Sequence, residues 1–286
     1  MEALRATYGG SSTETDSDSD DSPPTNNGTC RNSNHEESER LPPPPLEFLH
    51  PPNSMDYLQA DQGNRVRSFP HVEGNYSLHI FIPVYMSPAT RKELAPFLKR
   101  ISSLVPGLHV VDIDIPLNML CKDNQKLEQV ALGREFHISL GRTVPIRVHQ
   151  IDSIVTMLRQ KLQPQRRYWI DFNKWEVFVN DDHTRSFLSM EVIKGGLAEI
   201  TRQIHAVDEI YRLHNLPEFY KDPHPHISLA WALGDISQSL ERVVEEVNGS
   251  RNSGNFSHKH IFTCKFSGID CKVGNKTYKI CTFPEE

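Results

Sequence analysis

Several kinds of protein are excluded by what this chain lacks. No stretch of its 286 residues approaches the roughly 18 consecutive apolar residues of a membrane-spanning helix. The opening MEALRATYGGSSTETD has no apolar segment of the kind a secretory signal carries. Cysteines are few and odd in number (Cys30, Cys121, Cys264, Cys271 and Cys281), and none forms a C-x-x-C pair. That pattern supports neither a disulfide framework nor a cysteine zinc site. The expectation is a soluble intracellular protein with reduced thiols, needing neither metal nor cofactor. Apolar residues are also scarce, at 37%, which is low for a chain folded throughout.

The scarcity is local. Residues 1–50 hold ten acids against three bases, which leaves 28 bases and 27 acids for the remainder. The formal charge of −6 therefore belongs to the N-terminal segment, and the rest is close to neutral. A near-neutral body argues against a protein that coats long nucleic acid, where many phosphate contacts supply the affinity. It permits a site gripping one or two nucleotides. The segment SSTETDSDSDDSPPTNNG has almost nothing to bury and reads as disordered. LPPPPLEFLHPP after it favours extended polyproline geometry and reads as a stiff spacer. The expected organisation is a disordered acidic and proline-rich tail over residues 1–65 and one catalytic domain over residues 66–286.

Beyond residue 65 the pattern predicts strands over Arg65–His71, Tyr76–Val84, Leu108–Ile115, Glu135–Leu140, Tyr168–Val179, Arg185–Ile193 and His226–Trp231. A last hairpin joins His260–Lys272 to Lys276–Phe283 about Gly274–Asn275. Helices are expected over Pro88–Leu104, with Ser87 as N-cap, and over Pro145–Leu162, Leu197–Leu213 and Asp235–Val247, the last ended by Asn248–Gly249. Strands and helices alternate without a steady βαβ rhythm, so the fold class is α+β.

One tetrapeptide occurs twice, as His137-Ile138-Ser139-Leu140 and His226-Ile227-Ser228-Leu229, 89 residues apart. Each copy lies in a strand-like segment followed, after a short loop, by an amphipathic helix, the mark of a duplicated unit. Strand alternation puts His137, Ser139 and Gly141 on one face, with Phe136, Ile138 and Leu140 on the other. It likewise groups His226, Ser228 and Ala230, and assigns Trp231 to the apolar face as a core residue. Each polar face then offers an imidazole, a hydroxyl and a position with room beside it. Two imidazoles titrating near neutrality can act as base and acid across a phosphodiester, while hydroxyls donate to its non-bridging oxygens. With a ribose 2′-hydroxyl as nucleophile, no metal is required and the product is a 2′,3′-cyclic phosphate. His224 and His226 form a His-x-His pair that also suits a metal. No carboxylate or cysteine cluster accompanies it, and Pro225 interrupts the strand there. His79, His183, His258 and His260 read as surface or hydrogen-bonded residues.

Paired His-x-Ser strands in a duplicated unit resemble the two-histidine phosphodiesterase superfamily. The flanks Glu135–Leu140 and Phe219–Trp231 are more specific, and resemble within it the family that trims the 3′ end of U6 small nuclear RNA. The resemblance covers about residues 66–286. It implies a bilobal fold with pseudo-two-fold symmetry and a central cleft. It also implies a nuclear, metal-independent 3′→5′ exoribonuclease that acts on a single-stranded, uridine-rich RNA end. Carried onto this chain, His137 and His226 become the acid–base pair, taken as base and acid respectively, and Ser139 and Ser228 the phosphate-binding hydroxyls. Tyr220 matches an aromatic that stacks on the terminal base, and Asp222 the wall of the loop entering the second motif. A monomer is expected. Three other readings share these residues: a hydrolase of 2′,3′-cyclic phosphates, a non-catalytic RNA-binding splicing module, and a metal-dependent nuclease.

Overall fold

The computed structural model describes residues 72–252 and 261–283. The expected disordered tail, the proline tract, the Arg65–His71 strand, His258 and His260 lie outside them. Eleven strands are described: β1 (Asn75–Val84), β2 (His109–Val110), β3 (Phe136–Ser139), β4 (Val144–Arg147), β5 (Trp169–Phe172), β6 (Lys174–Val179), β7 (Arg185–Glu191), β8 (His226–Leu233), β9 (Phe262–Lys265), β10 (Gly268–Val273) and β11 (Lys276–Thr282). The four long helices are α1 (Pro88–Leu104), α2 (Val148–Leu162), α3 (Leu197–Leu213) and α4 (Ser237–Asn252).

Strands β11, β10, β1 and β3 form one antiparallel sheet in that order, with β4 sharing the β3 edge of β1. A second antiparallel sheet runs β2-β8-β7-β6, and β5 pairs with β9 alone. The duplication is a matter of topology as well as letters. In the first half β1 leads through α1 to β3, which returns antiparallel to β1 with Ser139 opposite Phe81. In the second half β7 leads through α3 to β8, which returns antiparallel to β7 with Ser228 opposite Ser189. The helices cross between halves. α1 packs with α4 and stacks Phe97 on Trp175 of β6, at 3.9 Å between ring centroids. α3 packs with α2, which lies under β10 and β11.

Apolar spacing along the chain explains this packing. Leu94, Phe97, Leu98 and Ile101 recur at helical spacing on α1, as do Ile200, Ile204, Val207 and Tyr211 on α3, and all are buried. Ile138 on β3, Leu140 just after it, and Ile227 and Leu229 on β8 belong to the same continuous core. Each such side chain stabilises the fold by about 1.5–3 kcal/mol relative to exposure. α1 begins where expected, with Ser87 Oγ accepting the Thr90 N–H at 3.2 Å.

Five elements depart from the sequence expectation. Leu108–Ile115 gives only the two-residue β2, because Asp112 and Asp114 take left-handed backbone angles that end the strand. Pro145–Leu162 opens as strand β4 and becomes helix only at Val148, since Pro145 sits at a sheet edge where its missing N–H is harmless. Tyr168–Val179 is two strands in two sheets, parted at Asn173, whose side chain accepts the Ile193 N–H. His260–Lys272 likewise divides into β9 and β10, and only β10 forms the expected hairpin, with Val273 opposite Lys276 across Gly274. α4 runs through Gly249 to Asn252.

Candidate active site

Strands β3 and β8, which carry the two His-x-Ser motifs, approach each other where the two sheets meet. His137 and Ser139 are half-buried between the buried Phe136, Ile138 and Leu140, as alternation predicts. His226 and Ser228 flank the buried Ile227 in the same way. The positive form of His226 is disfavoured by that of His137, so the two imidazoles share one electrostatic neighbourhood. Arg134 links the lobes. Its guanidinium donates to the Ser228 carbonyl at 3.1 Å and pairs with Asp112 at 3.0 Å, while stacking over Phe136.

Each motif is held by different neighbours. In the first, His79 on β1 packs edge-on to His137, with centroids 4.9 Å apart, and its Nε2 lies 3.0 Å from Ser139 Oγ. Phe81 completes the cluster, stacked on His79 and edge-on to His137. In the second, His226 stacks on Phe178 with centroids 4.1 Å apart, and Ser228 Oγ lies 3.0 Å from Ser189 Oγ. His226 Nδ1–H donates to the His224 carbonyl at 2.7 Å, which fixes the neutral tautomer with Nε2 as the acceptor. His224 in turn is hydrogen-bonded through its own Nδ1 to Glu191, a buried carboxylate on β7 directly opposite His226.

Electrostatics follow from burial first. Desolvation lowers the pKa of both site histidines below 6.5. For His137 this is opposed chiefly by Asp112 and reinforced by Arg134. For His226 it is opposed by the bond to the His224 carbonyl and by Glu191. His79 is pushed down to about 3 by burial, then by the charges of His137 and Lys272.

Two positions read as room beside the motif are packing positions instead. Gly141 is buried against α3, where a Cβ would stand 3.0 Å from Val207 and 3.1 Å from Tyr211. A bulge in the β7–β8 pairing at Leu188/Ser189 lets β8 slip one residue, so Ala230 pairs with Leu188 and turns into the core. The same slip corrects Trp231. It is buried, but it stands opposite Phe187 on the face that carries Ser228, not on the apolar face. There its Nε1–H donates to Asp114 at 3.1 Å, with Arg185 over the ring and His109 beside it.

Tyr220 is half-exposed, with Arg142 4.1 Å over its ring and its hydroxyl donating to Asp181 at 3.2 Å. Asp222 is almost fully exposed, with its carboxylate 3.9 Å from His224 Nε2. His224 lies before the first residue of β8, as Pro225 implies. Among the described residues no group of three or more His, Cys, Asp or Glu is placed to hold a metal ion. The sequence did not single out Glu191, Arg134 or Phe178, and His79, read as a surface or hydrogen-bonded residue, is hydrogen-bonded to Ser139 itself. The period-two pattern of YSLHIFIPV does set His79 and Phe81 on one face, but only the register to β3 shows that this face is the site.

The fold is a duplicated α+β unit in which each half contributes one His-x-Ser strand. The chain belongs to the HVSL family, described as an uncharacterised conserved protein, whose model matches residues 42–281. It is 30% identical over 229 residues to U6 snRNA phosphodiesterase 1 of Mus musculus, covering 77% of this chain and 74% of that protein. It is 31% identical over 224 residues to U6 snRNA phosphodiesterase 1 of Danio rerio, covering 76% and 71%. A solved structure of Kluyveromyces marxianus Usb1 covers 72% of this chain and 97% of its own, at 14% identity and a TM-score of 0.47, too loose a likeness to bear on the site.

Proposed function

We propose that this protein is a nuclear 3′→5′ exoribonuclease that trims the uridine-rich 3′ end of U6 small nuclear RNA, with residues 66–286 as its catalytic domain. The observation that carries the reading is the approach of two His-x-Ser strands, β3 and β8, one from each duplicated half. Relatives named U6 snRNA phosphodiesterase 1 support the substrate. The binding partner is the single-stranded RNA end, and the protein works as a monomer.

His137, neutral because burial lowers its pKa, accepts the proton of the penultimate ribose 2′-hydroxyl. The 2′-oxygen bonds to phosphorus as the bond from phosphorus to the 5′-oxygen of the terminal nucleotide breaks. His226 delivers a proton to that leaving oxygen. The carbonyl of His224 and the carboxylate of Glu191 favour the protonated form this step needs. Ser139 and Ser228 donate to the non-bridging oxygens as negative charge grows. The products are a released nucleoside and an RNA ending in a 2′,3′-cyclic phosphate. No metal enters the step. Tyr220 stacks on the terminal base with the ring face that Arg142 leaves open, and Asp222 stands at the loop rim.

The test uses purified protein in EDTA with a 5′-labelled RNA ending in several uridines. A second strand carries a 2′-deoxy residue just upstream of the terminal nucleotide. Stepwise shortening of the first and none of the second is expected; equal shortening of both excludes the 2′-hydroxyl as nucleophile. Because burial lowers both imidazoles, the bell-shaped profile of kcat/KM peaks on the acid side of pH 7. A rate rising steadily through pH 9 contradicts paired acid–base action.

A further inference from the structure

The face of the first sheet that carries Ser139 continues across two more strands. His79 on β1 is bonded to Ser139, and directly opposite His79 on β10 stands Lys272. Side chains opposite one another in an antiparallel pair share a face, so Lys272, His79 and Ser139 form one row leading away from the two motifs. Lys272 is exposed and has no hydrogen-bond or ion-pair partner among the described residues. Its neighbours differ. Lys279 on β11 binds the buried Asp270 at 2.6 Å, and Lys276 lies over Tyr278. The free ammonium of Lys272 opposes protonation of both His79 and His137. A cation that works against two adjacent imidazoles, while the nearest carboxylate on its face, Asp270, is taken by Lys279, is matched to an anion that arrives with the substrate.

We infer that Lys272 binds the RNA phosphodiester one nucleotide upstream of the scissile one, so that the retained strand crosses the open face of the first sheet over His79. The inference rests on the phosphodiesterase reading above and adds a second phosphate subsite to it. Neighbouring strands lie about 4.8 Å apart, which puts β10 about 10 Å from β3. That span sets Lys272 to the side of the phosphate held at Ser139, along the path of the next one. The downstream side carries only the terminal nucleotide, so the upstream backbone is the anion available. Asp270 stands opposite Phe81 on the same face, but its carboxylate is buried and held by Lys279, which leaves Lys272 without an acidic partner.

The probes are the dinucleotides UpU, pUpU and UpUp, which add a phosphate upstream, or downstream, of the scissile bond. The wild type is expected to favour pUpU over UpU by about tenfold in kcat/KM, on the scale of one charge-assisted hydrogen bond. Lys272→Ala should collapse that ratio to near one, and Lys272→Arg should keep most of it. Dividing by the UpU rate removes any effect of the substitution on the histidines themselves. A pUpU preference that survives Lys272→Ala overturns the inference, as does loss of a UpUp preference instead. Binding of 2′-deoxy versions of the probes, which cannot be cleaved by the proposed route, reads the same ratio without turnover. Failure of the wild type to cleave any ribonucleotide probe sinks the phosphodiesterase reading, while the binding ratio still decides the Lys272 contact. With longer RNA, Lys272→Ala should flatten the dependence of log K on log salt by about 0.7, the share of one phosphate on a single strand.

Discussion

The same four letters, His-Ile-Ser-Leu, stand in two different settings. At the first copy, His137 is packed against a second imidazole and a phenyl ring, and its serine leans on His79. At the second, His226 is tied through Nδ1 to a carbonyl, stacked on Phe178, and backed by the Glu191–His224 pair. The pairing strands make the difference. Position for position, Phe81, Ile82 and Pro83 of β1 stand where Ser189, Met190 and Glu191 of β7 stand. A carboxylate beside one histidine and an uncharged proline beside the other separates two groups that alternation alone makes equivalent. Symmetry of the fold supplies a matched pair of histidines, and asymmetry of their neighbours sets the two apart.

The largest effect comes from removing either imidazole. His137→Ala and His226→Ala should each lower kcat by about 10³-fold or more while RNA binding persists. The double variant should be little worse than either single one, because both act in one step. Loss of binding with unchanged turnover per bound RNA contradicts the assignment. Next come Ser139→Ala and Ser228→Ala, each expected to cost about 10²-fold in kcat through lost oxyanion contacts. A change confined to KM places the hydroxyls in ground-state binding alone.

A smaller effect sharpens the contrast between the copies. Glu191→Gln keeps the shape of the pair with His224 but removes the charge that favours protonated His226. It should lower kcat about tenfold and move the alkaline limb of the pH–rate profile to lower pH, leaving the acid limb in place. A shift of both limbs together denies Glu191 a role specific to the second copy.

The smallest effect is on stability. His79 sits at about 3 in the folded chain against an ordinary 6.5. Between those values the unfolded chain holds a proton that the folded chain does not, so stability falls as pH drops through that window. His79→Phe, which copies Phe187 at the equivalent place in β7, should make that fall shallower by no more than about 1 kcal/mol per pH unit. Urea midpoints at pH 7, 5.5 and 4.5 read it, and parallel slopes for the two proteins contradict it.

Much of this was legible in the sequence. Helical spacing located the long helices, with α1, α3 and the Ser87 cap where expected. The repeated tetrapeptide gave both histidines and both serines on their faces, because period-two alternation is a local property. What stayed hidden depends on pairing between distant segments. The bulge opposite Leu188 moves Ala230 into the core and Trp231 out to the site face, and no residue near Trp231 announces it. Asn173 parts two strands that read as one, since the break lies in which sheet each joins. His79 and Glu191 were invisible as site residues for the same reason: each becomes one only through the strand it lies beside.

The division of labour between the two motifs is tested most directly by an RNA whose scissile 5′-oxygen is replaced by sulfur. A thiolate leaves without a proton, since a thiol ionises near pH 8.5, so the general acid becomes dispensable and the general base does not. The account predicts that His226→Ala cleaves this substrate at close to the wild-type rate while His137→Ala remains inactive. Rescue of His137→Ala in place of His226→Ala, or rescue of neither, contradicts it.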